Sequence, residues 1–253
     1  MLALVAGASL ADAILLGVAM TSLQAAIGAG NDVVDAPADA VAKPAKPIPS
    51  GLVSHRLATF VGGAATAIGI GLSATVGGLG TVPIAVAILA VGFAYDLWFK
   101  GTAWSWLPFA VGIPILPVYA WYGATGGVPE AFAVLIPAAV AAGAALAIGN
   151  ARADRERDVA SGVASIATVL GAERAWAIEV ALIVTVGAVA VISAGAAGAS
   201  VGRVAIVGLA ALVPIAAVLG SANLEPSGRE RAWEAEAVGV ALLAVVWVWV
   251  AVA

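Results

Sequence analysis

Residues 57–95 read LATFVGGAATAIGIGLSATVGGLGTVPIAVAILAVGFAY, thirty-nine positions without a charged side chain. A helix crossing the hydrocarbon core of a bilayer needs about 20 apolar residues, so this stretch is long enough for two. It also contains its own break, Gly77-Gly78-Leu79-Gly80-Thr81-Val82-Pro83, because glycine and proline interrupt regular structure. Two spans joined by a short turn make the chain an all-α membrane protein. Further charge-free runs lie on either side at 101–129, 131–151, 180–202, 204–224 and 237–253, and residues 2–31 hold one charge, Asp12. The pattern predicts a polytopic bundle of about eight transmembrane helices around a central cavity. The helices are expected near 3–29, 52–75, 82–99, 103–122, 130–150, 174–196, 202–221 and 233–252, within a single domain covering 1–253.

Composition supports this class and excludes others. Apolar residues make up 63% of the 253 positions, charged residues only 10%, and mean hydropathy is +1.09. A soluble domain carries about a quarter charged residues, so this chain has too little polar surface to cover a water-soluble globule. A cytosolic enzyme, a nucleic-acid-binding domain and a disordered chain are excluded, and nucleic acid is not an expected partner. Long apolar runs rather than period-two alternation exclude a membrane β-barrel. With no cysteine, disulfides and thiolate metal sites are ruled out.

The charges also orient the chain. Eight helices assign 31–51, 99–103, 151–173 and 222–232 to one side. With the adjacent helix ends, that side carries Lys43, Lys46, Arg56, Lys100, Arg152, Arg155, Arg157, Arg174, Arg229 and Arg231, ten of the eleven cations. Only Arg203 falls on the other side. Positive charge accumulates in cytoplasmic loops, so the expected location is the cell membrane, with these loops cytoplasmic and both termini outside. Trp104, Trp106, Trp121, Trp233, Trp247 and Trp249 fall near predicted helix ends and read mostly as interfacial anchors. The 30 glycines read as surfaces for close helix packing. No phosphate-binding GxxxxGK[ST] loop occurs.

Two acidic clusters lie on the cation-rich side. The first is Asn31-Asp32-Val33-Val34-Asp35-Ala36-Pro37-Ala38-Asp39. If the helical path continues through it, Asp32, Asp35 and Asp39 share one face. Three carboxylates there repel unless a cation sits among them, and hard oxygen ligands suit Mg²⁺. The stiff tract Lys43-Pro44-Ala45-Lys46-Pro47-Ile48-Pro49-Ser50-Gly51 follows, placing cations for an anion beside acids for a metal. The second cluster is Asn150-Ala151-Arg152-Ala153-Asp154-Arg155-Glu156-Arg157-Asp158, with Asp154 and Asp158 one helical turn apart. Five of the seven Asp lie in these clusters. Solvated loops with local ion pairs have the same composition, so residue chemistry alone leaves both readings open.

These motifs resemble those of the UbiA superfamily of intramembrane prenyltransferases. Asn31-Asp32-x-x-Asp35-x-x-x-Asp39 matches the family's NDxxDxxxD, and the Lys43–Gly51 tract is similar to its RPxRPIPSG run. Asp154-x-x-x-Asp158 with Gly162, Thr168 and Leu170-Gly171 resembles the second motif and its ending. Gln24 lies where many members carry Gln, and Tyr95 and Lys100 resemble a Tyr and Lys at the base of the family's fourth helix. The likeness extends over nearly the whole chain. Three departures stand out: Gly28 replaces a common Asn, Arg157 replaces a frequent Gly, and one helix rather than two precedes the first motif. The family's nine-helix pattern therefore predicts a further apolar span upstream of Met1. A signal peptide is not expected at this start, which lacks a basic n-region.

The resemblance implies transfer of an isoprenyl group from a prenyl diphosphate to a lipophilic or aromatic acceptor within the membrane. It implies Mg²⁺ held by Asp32, Asp35, Asp39, Asp154 and Asp158. Asn31, Asn150, Lys43, Lys46, Lys100 and Arg155 are expected to contact the diphosphate. Tyr95 is expected to act with Asp32, Asp35, Asp154 and Asp158 in catalysis. Membrane lipids surround the bundle. Alternatives are a terpene cyclase or other lipid-linked transferase on the same fold, or a non-enzymatic transporter, although no inverted repeat of the transporter kind is visible. Among the remaining polar residues, Asp12 reads as mid-helix, either facing a cavity or snorkelling near the outer end. His55 reads as interfacial, Asp96 either joins the site or balances charge locally, and 223–231 reads as a plain loop.

Overall fold

The computed structural model describes residues 1–252, and among them every regular element is helical. A short turn α1 (Leu2–Val5) precedes α2 (Leu10–Ala42), α3 (His55–Gly77) and α4 (Thr81–Ala94). A π-helical turn, Tyr95–Phe99, extends α4. Next come α5 (Leu107–Thr125), α6 (Phe132–Ala153), α7 (Arg155–Ser161), α8 (Ile166–Leu170), α9 (Ala172–Ala196), α10 (Val201–Gly220) and α11 (Pro226–Val252). Among the described residues, eight helices are long and apolar enough to cross a membrane: α2 to α6 and α9 to α11, with α4 counted through Phe99. Large apolar side chains such as Phe60, Ile192, Leu209 and Val238 point outward from them, as lipid-facing residues do.

The chain divides into two compact units, one built from residues 3–98 and 117–127 and the other from 99–116 and 128–252. In the first, α2 packs along α3 and both touch α4. Hydrocarbon lipid provides no hydrophobic force between helices, so close backbone approach through small residues takes its place. Gly69 lies against Leu23, where a β-carbon would come within 2.7 Å of its methyl group. Buried Ser73 donates to the Gly69 carbonyl at 2.6 Å and lies 2.7 Å from the Tyr119 hydroxyl. Its single hydrogen is committed to that carbonyl, so Tyr119 donates to Ser73.

In the second unit, α6 packs on α9 and α11, and α10 bridges α9 and α11. Residues 142–149 of α6 are all buried. Gly143 presses on the Phe109 carbonyl, and Gly239 lies against the backbone of Pro214. Ala145, Ile183 and Val218 form a core joined by Trp176, Ile215 and Val240.

Several boundaries differ from expectation. The first span starts at Leu10 rather than 3, because Ser9 caps a new helix there: its hydroxyl accepts from the Asp12 N–H at 3.1 Å. Asp12 is thus an exposed first-turn residue, not a mid-helix charge, and it favours the positive helix N-terminus. The same helix runs past 29 to Ala42, carrying the first motif with Pro37 inside it. The fourth span begins at Leu107, leaving Trp104 and Trp106 in the turns before it. The last begins at Pro226, a residue suited to the first helical position, so 226–231 is helix rather than loop. Trp121 and Trp247 are buried within the protein. Arg203, the isolated cation, lies 5.6 Å from the Trp249 ring centroid, within cation–π range.

Candidate active site

Helix α2 carries Asn31, Asp32, Asp35 and Asp39 without interruption. Its C-terminal cap is Lys43, whose N–H donates to the Asp39 carbonyl at 2.7 Å. The proline-rich tract then folds into consecutive turns, with Lys46 N–H to Lys43 O at 3.0 Å, Ser50 N–H to Lys46 O at 2.9 Å and Val53 N–H to Pro47 O at 3.0 Å. These turns bring Lys46 back over the helix. Its Nζ lies 3.0 Å from Asp32 Oδ1 and 2.7 Å from Asp39 Oδ2. The Asp39 hydrogen bond, together with Asp32 and against the cost of partial burial, raises the Lys46 pKa above its ordinary value. Lys46 therefore carries a full charge at neutral pH.

Asn31 points the other way. Its Nδ2 donates to Asp96 Oδ1 at 2.6 Å, and Asp96 is buried in the π turn. A π turn inserts one residue into a helix and is frequent at functional sites. Tyr95 opens that turn half-buried, and Lys100 follows it in the open. Lys43 is exposed, and Asp35 is half-buried on the face it shares with Asp32 and Asp39.

In the second unit, α6 ends and α7 begins at Asp154. Asp158 lies one turn on, its N–H bonded to the Asp154 carbonyl at 2.9 Å. Both aspartates are half-buried. Arg157 Nη1 donates to Asp154 Oδ1 at 2.7 Å on the exposed side. Asn150, in the last turn of α6, accepts the Asp154 N–H through its carbonyl at 3.3 Å. Gly162 ends α7 with φ +70°, a left-handed conformation that side chains disfavour. Thr168 Oγ1 then bonds the carbonyls of Val163 and Ser165, so the Gly and Thr of the motif ending shape the turn after the aspartates. Arg155 lines a cavity of about 340 Å³ with Arg152, Glu173, Trp176, Asn223 and Arg229.

The structure thus joins Asp32, Asp39 and Lys46 in one cluster and places Asp154 and Asp158 on consecutive turns. Among the described residues, no three Asp, Glu or His side chains converge on one ion position. Magnesium commonly takes one or two carboxylates and completes its shell with phosphate oxygens and water. Paired carboxylates closing on the Lys46 ammonium form a donor set that fits such a cation. Exposed His55 opens α3, and nothing else joins it in a metal site.

The sequence left Asp96 between joining the site and balancing charge locally, and the structure bonds it to Asn31. Other polar residues went unnoticed there. Glu179 and Glu236 are almost fully buried, at 2% and 1% exposure. Each immediately precedes a charge-free run and so read as a boundary residue. Arg229 lay in a stretch read as loop.

Comparison with known proteins agrees with this description. No curated protein sequence matches the chain. A UbiA homologue from Aeropyrum pernix K1, solved in the apo form, superposes with a TM-score of 0.71 at 21% identity, covering 95% of this chain and 93% of that one. A UbiA homologue from Archaeoglobus fulgidus bound to GPP and Mg²⁺ gives 0.68 at 19% identity, covering 97% and 93%. A digeranylgeranylglyceryl phosphate synthase gives 0.69 at 16% identity, covering 96% and 87%. These likenesses establish a shared fold. The model of the UbiA prenyltransferase family matches residues 1–243, and the chain belongs to that family.

Proposed function

We propose that this family member transfers an isoprenyl group from a prenyl diphosphate to a lipophilic or aromatic acceptor inside the membrane. The observation that carries the reading is the seating of the Lys46 ammonium between Asp32 and Asp39, at 3.0 and 2.7 Å. The first motif is a carboxylate cradle closed around a positive charge, as a site for a metal-bound diphosphate requires. The Archaeoglobus homologue bound to GPP and Mg²⁺ supports the choice of ligand.

In this reading Asp32, Asp35, Asp39, Asp154 and Asp158 would hold Mg²⁺. Bound Mg²⁺ supplies charge neutralisation of the departing diphosphate. Lys46 leaves its carboxylates for the phosphate oxygens, with Lys43, Lys100 and Arg155 as further donors. Asn31 and Asn150 complete the contacts, and Asp96 holds the Asn31 amide in place. The allylic C–O bond breaks with its electron pair leaving on the diphosphate. Tyr95, which opens the π turn, takes part in the chemistry, and the apolar helices shield the prenyl chain from water. The acceptor nucleophile attacks the allylic carbon and loses its proton. Four spans separate the two motifs, which supports a common cytoplasmic side in the cell membrane.

The test is incubation of membranes containing the protein with radiolabelled prenyl diphosphate, with and without EDTA. Metal-dependent release of diphosphate and labelling of a lipophilic product are expected. Release with cyclised, unattached hydrocarbon would replace transfer by cyclisation. No release under any metal condition would overturn the enzymatic reading.

A further inference from the structure

A buried ion network stands beside the second motif and has no part in the chemistry above. Arg152, two residues before Asp154, is 6% exposed. Its Nη1 donates to Glu179 Oε2 on α9 at 2.5 Å and to Ser221 Oγ at the end of α10 at 3.1 Å. Glu236 on α11 is buried beside Glu179, and its Oε1 has no hydrogen-bond partner. Glu179 lies seven residues into α9, about 10 Å along its axis, at a depth where ionisable side chains are costly and mark function.

The surrounding backbone makes room for this network. A β-carbon at Gly149 would lie 2.5 Å from Glu179 Oε1 and 3.0 Å from the Trp233 ring. The Trp233 indole N–H donates to the Leu146 carbonyl at 2.8 Å, tying α11 to α6 just before the motif. From the water-facing side, Arg229 Nε donates to the Arg152 carbonyl at 3.1 Å, and its guanidinium pairs with Glu156. The segment 152–156 is therefore held by its first side chain, its first carbonyl and its last side chain. Asp154 sits in the middle, at the break between α6 and α7.

We propose that Arg152, Glu179, Glu236 and Arg229 are positioning residues that set the direction in which Asp154 and Asp158 are presented. None needs to touch substrate. The proposal rests on the second motif's being a metal-diphosphate site. Mutating groups that orient metal ligands typically costs about 10–100-fold in metal affinity or activity.

The experiment measures Mn²⁺ binding by electron paramagnetic resonance in the presence of inorganic diphosphate, together with thermal unfolding in detergent. The variants are Arg152→Gln/Glu179→Gln/Glu236→Gln and, separately, Arg229→Gln and Asp154→Asn. The triple variant removes every charge of the buried trio, so no charge is left uncompensated in the core. Arg229→Gln leaves the trio intact and alters only the partly exposed clamp. Both are expected to weaken Mn²⁺–diphosphate binding about tenfold, and Arg229→Gln to do so with an unchanged melting temperature. If the triple variant does not fold, Arg229→Gln alone decides. Wild-type affinity in Arg229→Gln, or in a folded triple variant, overturns the positioning role, provided that Asp154→Asn is weakened. Wild-type affinity in Asp154→Asn overturns the underlying reading of the motif instead.

Discussion

Replacing Lys46 with glutamine should tighten divalent-cation binding when no substrate is present. In the structure the Lys46 ammonium occupies the space between Asp32 and Asp39, at 3.0 and 2.7 Å. A metal approaching these carboxylates must first displace it. The pair with Asp32 is well exposed, with side-chain accessibilities of 30% and 45%, and contributes about 0.5 kcal/mol, the middle of the range for surface pairs. The pair with Asp39 is drier, the aspartate being 9% accessible, and contributes about 1 kcal/mol, the top of that range. Releasing both costs about 1.5 kcal/mol, roughly tenfold in a dissociation constant. Lys46→Gln should therefore bind Mn²⁺ about tenfold more tightly than wild type in a titration without diphosphate. The same variant should show a raised KM for prenyl diphosphate, because the displaced ammonium is then missing from the phosphate oxygens. Equal or weaker Mn²⁺ binding would refute the argument that Lys46 holds the place of a metal.

Asp35→Asn and Asp154→Asn should each abolish prenyl-diphosphate turnover while leaving expression and melting temperature near wild type, since neither carboxylate packs in a core; wild-type rates in either would sink the site assignment. Gly143→Val should lower stability by about 1–3 kcal/mol, the cost of overpacking a well-filled interior, because the Phe109 carbonyl stands where the new side chain must go; an unchanged melting temperature would contradict the close approach. Ser73→Ala should destabilise by about 1–3 kcal/mol by stranding the buried Tyr119 hydroxyl. Tyr119→Phe should cost less, since Ser73 keeps its bond to Gly69, and the reverse order in thermal unfolding would contradict the donor assignment.

The spans were legible because lipid imposes one rule along the whole chain: few charges for about 20 residues. Each long charge-free run holds a spanning helix, and 57–95 holds two. Their ends were less legible, since a capping serine or a proline acts over one turn. Ser9 restarts the first helix, and Pro226 starts the last about three turns before its charge-free run. The first motif was readable as a single face because Asp32, Asp35 and Asp39 repeat at helical spacing. That a lysine seven residues further on would turn back between two of them depends on the turn through Pro44 after the helix end, which no periodicity reports. Glu179 and Glu236 were hidden by the same rule that revealed the helices. A carboxylate at the edge of an apolar run looks like the membrane boundary, and only the positions of Arg152 and Gly149 show these two to be interior.

The unbroken course of α2 has a kinetic consequence. Between Leu10 and Asp32 the helix rises about 33 Å at 1.5 Å per residue, and the hydrocarbon core is about 30 Å thick. A rod that enters the core at its capped end emerges where the aspartates begin. The carboxylates then stand at the level of the lipid phosphates, on the same rigid element that borders the acyl chains. A prenyl diphosphate substrate of the proposed kind would lie in the bilayer with its head at that height and arrive by lateral diffusion without crossing water. Its effective concentration is then a mole fraction of the surrounding lipid rather than a molarity. At fixed total substrate, adding inert phospholipid should slow the reaction as it dilutes the two-dimensional medium in which enzyme and substrate meet.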